Sequence, residues 1–305
     1  MTPPDTRQEA RPRSLKLAVK LQMLNTSGPV EQRFNQLAAA GLDGVEIGVD
    51  DATPIAQLAA ASTRTGLAIP TLIAGGTFRD SITSESSAAG RRAVDSVLKA
   101  IDAAVSTGSD VVMLNPGWRD GGRTTDEVAA IARARLAPAV DRATEAGVRL
   151  AVENLWNGWL QTGAELAAFV DTFPNGTVRV LFDSGNAARY DLPEHWVAEL
   201  GTRIVRVDVK DYRRAWESRP ATDYGDDGQL RAAWGNDGPW GALDALPFQG
   251  DVHWELLARA FREAGYEGWC CAEHGVGDRA WIATLVSALR RFNTLYERGT
   301  TLGIE

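Results

Sequence analysis

From residue 15 onward, short apolar runs alternate with longer segments in which apolar positions recur at the helical spacing of about 3.6 residues. The runs are LKLAVKLQ (15–22), DGVEIG (43–48), LAIPTLI (67–73), DVVMLN (110–115), VRLAVE (148–153), VRVLFD (178–183), RIVRVDV (203–209) and GWCCAE (268–273). Helical patterns follow them at 29–40, 51–65, 86–107, 124–146, 162–173, 193–201, 254–264 and 278–298. Near-continuous apolar strands are those covered on both faces, and parallel neighbours need a crossover connection, which the intervening helices supply. Eight such units predict an α/β chain folded as one closed (β/α)8 TIM barrel over residues 15–305. The segments AAAGLDG, EAGVR and EAGYEG place glycine just past a last helical turn, where a left-handed residue starts the return to the next strand.

One connection breaks the pattern. Residues 210–253, between the seventh strand and its helix, make a loop about ten times the usual length for such a turn. It carries Trp216, Tyr224, Trp234, Trp240 and the acidic turn DYGDDG, and reads as a lid, a binding loop or a subunit contact. The first fourteen residues, MTPPDTRQEARPRS, are polar and rich in Pro and Arg, and are expected to form a disordered tail. They contain no apolar stretch of the signal-peptide kind, and no apolar run in the chain is long enough to span a membrane. A cytoplasmic protein with no membrane partner is expected.

Composition narrows the classes. A hydrophobic content of 44% and a charged content of 24% are those of an ordinary globular domain. The net charge of −8 disfavours a nucleic-acid partner, because such binding is driven by Lys and Arg replacing condensed counterions. Cys270 and Cys271 are adjacent, which excludes an ordinary disulfide between them and a Cys-based zinc site; they are expected as buried thiols. Neither a GxGxxG fingerprint nor a GxxxxGK[ST] loop is present, so no dinucleotide or nucleoside triphosphate site is indicated.

The chemistry lies in the acids. In such barrels, catalytic groups come from the last inward-facing positions of several strands. Glu153, Asp183, Asp208 and Glu273 each stand at or near a strand end. Alternation along a strand puts Arg206, Asp208 and Lys210 on the face toward the barrel axis, and Val205, Val207 and Val209 toward the helices. Four carboxylates at one level would raise one another's pKa unless a cation sat among them, and an all-oxygen set suits Mg²⁺, Mn²⁺ or Ca²⁺. The alternative is that each acid caps a helix or pairs with Arg206 or Lys210. Lys210 reads equally as a counter-charge or as a donor to a substrate oxyanion.

Around these acids, Asn154, Trp156 and Asn157 follow Glu153, and Asn186 follows Asp183. Amides and indoles at a barrel mouth suit hydroxyl-rich ligands; loop capping and core packing are the competing explanation. Trp118, with Arg119 beside it, is a further wall candidate, and His274 a substrate contact or proton carrier. Glu46 reads as an acid behind the site or as a structural ion pair. His195 and His253 fall on helix starts and read as surface or capping residues.

The stretches VENLWNGWLQTGAEL (152–166), VLFDSGNAARY followed by HW (180–196), RIVRVDVKDYRRA (203–215) and QGDVHWELLARAFREAGYEGWCCAE (249–273) resemble the xylose-isomerase-like barrels, in particular the sugar phosphate isomerases/epimerases. The resemblance covers nearly all of the chain from residue 15. It implies a Mn²⁺ or Mg²⁺ ion held by Glu153, Asp183, Asp208 and Glu273, with Glu153 and Glu273 moving protons beside a carbonyl as a keto-sugar is epimerised or isomerised. The same branch resembles C-glycoside deglycosidase catalytic subunits and sugar-ketone dehydratases, lyases that begin with the same proton abstraction. Assembly as a homo-oligomer is expected, and the resemblance also allows a small partner subunit. Where the family usually reads His-x-Lys-Asp, this chain reads Asp208-Val209-Lys210-Asp211; Gln249 and His253 are further departures. Carboxylate in place of imidazole favours harder cations and keeps open a third class, a metal-free binding subunit. A DNA-repair endonuclease of the wider superfamily would need a histidine-rich metal cluster and a basic groove, against which three histidines and the net charge both argue.

Overall fold

The computed structural model describes residues 14–25, 28–49, 53–214, 241–242 and 245–298. Eight parallel strands close a barrel: β1 (Lys16–Lys20), β2 (Gly44–Gly48), β3 (Thr71–Ile73), β4 (Val111–Leu114), β5 (Arg149–Glu153), β6 (Val178–Asp183), β7 (Ile204–Val209) and β8 (Trp269–Ala272). Each strand pairs with its neighbours in sequence, and β8 pairs with β1 to close the ring. The outer layer is α1 (Val30–Ala39), α2 (Ile55–Thr65), α3 (Ser87–Thr107), α4 (Thr125–Ala146), α5 (Gly163–Val170), α6 (Pro193–Leu200), α7 (Trp254–Glu263) and α8 (Arg279–Arg298). The expected barrel is therefore the observed one.

Local chemistry explains most of the boundaries. Thr124 and Glu127 form a reciprocal capping box that starts α4, and Gly147 ends it at φ 67°. Gly41 and Gly265, at φ 89° and 67°, play the same part after α1 and α7. The third strand is shorter than its apolar run, beginning at Thr71 rather than at 67, because Pro70 has no N–H to give to a ladder. Two short helices, Gly76–Arg79 and Ser184–Ala188, have no counterpart in the sequence pattern.

Side chains alternate between two apolar layers. Val19, Val45, Ile47, Leu72, Val112, Leu114, Leu150, Val152, Val180, Phe182, Val207, Val209, Cys270 and Ala272 face outward and join the helices in the main core. Inside the barrel, Ile73, Val111, Met113, Ala151, Leu181 and Val205 pack as a separate plug. Val205 departs from the expected orientation. Between β6 and β7 the register slips, Val180 aligning with Ile204 and Leu181 with Arg206, so an extra residue in β7 turns Val205 inward. Arg206, 4% exposed, crosses the floor below the plug, donating to Thr71 Oγ1, Val205 O and Pro70 O and pairing with Asp110.

Of the long connection at 210–253, residues 210–214, 241–242 and 245–253 are described, with a short antiparallel pairing of Arg213–Arg214 to Gly241–Ala242. Trp216, Tyr224, Trp234 and Trp240 lie outside the described residues, as does the expected tail apart from Ser14. No helix among the described residues is long and apolar enough to cross a membrane.

Candidate active site and cation site

Strand register brings the acids to one level. Asp183 aligns with Asp208 across β6 and β7, and Asp208 aligns with Cys271, two residues before Glu273. One oxygen from each of Glu153, Asp183, Asp208 and Glu273 lies within 4.8 Å of one from every other. Glu153, Asp183 and Asp208 are buried, whereas the Glu273 side chain is 30% exposed, so solvent reaches the cluster at Glu273.

Two ammonium groups sit among the acids, one of them unanticipated. Lys20, at the last inward position of β1, is 2% exposed; its Nζ donates to Asp208 Oδ2 at 2.7 Å and lies 3.5 Å from both Glu46 Oε2 and Glu273 Oε2. Lys210 Nζ lies 2.9 Å from Asp183 Oδ2 and 3.2 Å from Glu273 Oε2. Glu46, fully buried, also accepts from Thr71 Oγ1 at 2.7 Å, and β2 aligns it with Lys20 on β1. Part of the cation demand read from the four acids is thus met within the chain. Alternation along β1 puts Lys16, Ala18 and Lys20 on its inward face, but nothing along the chain sets Lys20 beside Asp208.

The compensation is incomplete, since five carboxylates meet two ammonium groups. Burial pushes Glu153 well above the usual carboxylate range, and Glu273 nearby adds to it. Burial likewise raises Asp208 well, despite Lys20, and raises Asp183. Glu273 goes the other way: burial alone would raise it, but Lys20 and Lys210 outweigh that and hold it below the ordinary range. Burial would lower both lysines, yet Asp208 beside Lys20 and Asp183 beside Lys210 keep each ammonium charged. Asp183 Oδ2 and Glu273 Oε2 share the one ammonium of Lys210, and buried Asp208 Oδ1 accepts no hydrogen bond. Four carboxylate oxygens within a few ångströms of one another, with more acids than ammonium groups around them, are the donor set a hard divalent cation takes.

The neighbouring amides hold the acids in place. Asn186 donates through Nδ2 to Glu153 Oε1 at 3.2 Å and through its backbone N to Asp183 Oδ1 at 2.7 Å. Asp183 thereby caps the short helix at 184–188 with Oδ1 while Oδ2 pairs with Lys210. Asn154 exchanges two bonds with the backbone of Asp183, and Ser184 Oγ accepts from Lys210 N and donates to Lys210 O. Asn157 Nδ2 donates to Gly117 O at 3.0 Å, leaving its buried Oδ1 without a donor. Trp156 Nε1 donates to Asn186 O, and the Arg189 guanidinium lies 4.2 Å from its ring centroid, so one indole face is taken.

The remaining candidates are held by contacts of their own. Trp118, half-buried, is anchored by its main chain, its N donating to Ser81 Oγ and its O accepting from Thr83 Oγ1. His274, directly after Glu273, meets Trp281 edge to face at 5.0 Å, and its Nδ1 accepts from Gly275 N. His195 and His253 are exposed at the start of α6 and the N-cap of α7, beside Asp191 and Glu194 respectively, as expected of surface positions.

Residues 34–292 match the model of the xylose isomerase-like TIM barrel family. No curated protein matches the chain closely enough to count. Among solved structures, the 3-keto-D-glucoside 4-epimerase from E. coli is similar at TM-score 0.70 and 16% identity, with 92% of this chain and 99% of that one covered. A D-psicose 3-epimerase from Clostridium cellulolyticum H10, solved with D-tagatose, is similar at TM-score 0.71 and 14% identity, covering 93% and 100%. An L-ribulose 3-epimerase follows at 0.68 and 16%, covering 94% and 99%. At such identities the likeness establishes the fold, and the family match spans most of the chain. The protein with this ring of strand-end acids belongs to the xylose isomerase-like TIM barrel family.

Proposed function

We propose that the protein is a divalent-metal-dependent sugar epimerase or isomerase, acting beside the carbonyl of a keto-sugar, with Glu153, Asp183, Asp208 and Glu273 holding Mn²⁺ or Mg²⁺. The observation that carries this reading is the cluster of four strand-end carboxylates within 4.8 Å of one another, three of them buried and the fourth, Glu273, open to solvent. The named similar structures, all sugar epimerases, support the substrate class.

A bound divalent ion supplies Lewis-acid polarisation of a substrate carbonyl and its neighbouring hydroxyl, which makes the intervening C–H more acidic. Ionised Glu273, the acid that solvent reaches, removes that proton. Glu153, whose burial favours its carboxyl form and which Asn186 orients, stands on the other strand to return one to the enediolate. Lys210 stays charged and donates to the developing oxyanion. Trp118, Trp156, Asn157 and His274 furnish the wall toward the sugar.

The test combines metal analysis with proton exchange. Protein loaded with Mn²⁺ is expected to retain about one ion per chain, and a Glu153→Gln/Glu273→Gln variant to lose it. D-tagatose, D-psicose and a 3-keto-D-glucoside incubated in D₂O should reveal, by NMR, solvent deuterium at the carbon beside the carbonyl. Exchange with inversion marks the epimerase, and exchange with loss of a leaving group marks a lyase working through the same first step. No retained metal together with no exchange on any of these substrates sinks the enzyme reading in favour of a binding subunit.

A further inference from the structure

We infer that Lys20 is a built-in counter-cation that cancels the charge of Asp208, so that the pair behaves toward a bound metal as a neutral ligand position. The inference rests on the cation site proposed above and deepens it. Lys20 reaches no surface: it is 2% exposed, so it serves as a positioning residue and not as a substrate contact. Its Nζ is 2.7 Å from Asp208 Oδ2, the closer of the lysine contacts to the four acids, and 3.5 Å from Glu46 and Glu273. Glu46, Asp208 and Cys271 also present ligand atoms within 4.8 Å of one another. The ammonium, within 3.5 Å of Glu46 and Asp208, supplies the positive charge that this grouping would otherwise draw from solution.

Only one oxygen of Asp208 is used in this way. Oδ2 takes the ammonium, while Oδ1 is buried and without a hydrogen-bond donor; Asp208 presents one carboxylate oxygen to the group with Glu153, Asp183 and Glu273. A carboxylate whose charge is balanced on one side can offer a lone pair on the other without adding a net negative charge to the site. Glu46 and Thr71 hold the lysine from behind, through the ion pair and through the Thr71 hydroxyl on Glu46.

A charge cycle read by Mn²⁺ affinity tests the inference, with calorimetric titration and the Mn²⁺ EPR signal as readouts that need no substrate. Asp208→Asn leaves Lys20 uncompensated beside the ion and is expected to weaken binding at least about 10-fold, the lower bound for losing even a partner behind a metal ligand. Lys20→Met frees the Asp208 charge and should tighten binding. The Lys20→Met/Asp208→Asn double variant, which changes no net charge, is expected to return to within about threefold of the wild type, a difference well under one tenfold step. If Lys20→Met does not fold, the comparison of Asp208→Asn with the neutral double variant still decides. A double variant as weak as Asp208→Asn alone overturns the inference, because Asp208 would then act as a charged ligand irreplaceable by the amide. A wild type that binds no Mn²⁺ overturns the cation-site reading itself, and is distinguished by failing before any substitution is made.

Discussion

Replacing Asp211 should unfasten the long connection after β7 without touching the carboxylate cluster. Asp211 is fully buried, and its two oxygens accept four bonds: Oδ1 from Tyr212 N at 2.8 Å and Val252 N at 3.2 Å, Oδ2 from Gly250 N at 2.9 Å and Trp254 Nε1 at 3.1 Å. One side chain therefore ties the end of β7 to the start of α7, across the segment that leaves and rejoins the barrel between them. Gly250 is required by this approach, since a Cβ there would fall 2.3 Å from Asp211 Oδ1 and 2.7 Å from Tyr212 O. Asp211→Asn keeps one oxygen but turns an NH₂ toward two N–H donors. With bonds to charged groups at about 1.5–3 kcal/mol each, the cost is expected near 3 kcal/mol. Asp211→Ala strands all four donors, and with water recovering part of the loss we expect about 5 kcal/mol, a large share of a typical folding free energy. Scanning calorimetry should show the Asn variant melting about 6–12 °C lower, with the Ala variant lower still. An Asn variant within about 1 kcal/mol of the wild type would refute the four-bond account.

Three further outcomes follow from the fold. Asp110 pairs with Arg206 and Arg149; burial would raise its carboxyl, but the two guanidiniums outweigh that and lower it, so its stabilisation exists above the ordinary carboxylate pKa and is lost as pH falls through the lower folded value. Denaturant titrations of Asp110→Asn should accordingly lie below the wild type at neutral pH and converge with it in strong acid; a gap that persists unchanged in acid would show the pairing is not electrostatic. Burial pushes the thiols of Cys270 and Cys271 up, and each is 1% exposed, so a thiol-reactive chromophore should label neither in the native protein and both in guanidinium; rapid native labelling would contradict their packing. Gly44 lies against the Trp269 ring, where a Cβ would fall 2.5 Å from a ring carbon and 3.1 Å from Ala68 O; Gly44→Ala should cost about 1–3 kcal/mol by overpacking, measured by equilibrium unfolding, and a neutral result would mean the indole swings freely.

Periodicity alone determined the eight strand and helix units, because parallel strands covered by helices must be apolar on both faces and amphipathic segments must join them. It also marked Glu153, Asp183, Asp208 and Glu273, since a strand that ends on an acid stands out against apolar neighbours. Three things were decided only in three dimensions. Val205 turned inward because a bulge in β7 depends on how two strands pair, which no single strand's alternation encodes. Asp211 became the clamp on the long connection because its four donors come from both ends of a segment nearly forty residues apart in sequence. Lys20 entered the site because barrel closure sets β1 beside β8, bringing an ammonium from one end of the chain against Asp208 and Glu273 near the other. Sequence pattern reports the environment of a residue along its own strand, whereas the charge balance of a buried site is set by which strands the closed barrel makes neighbours.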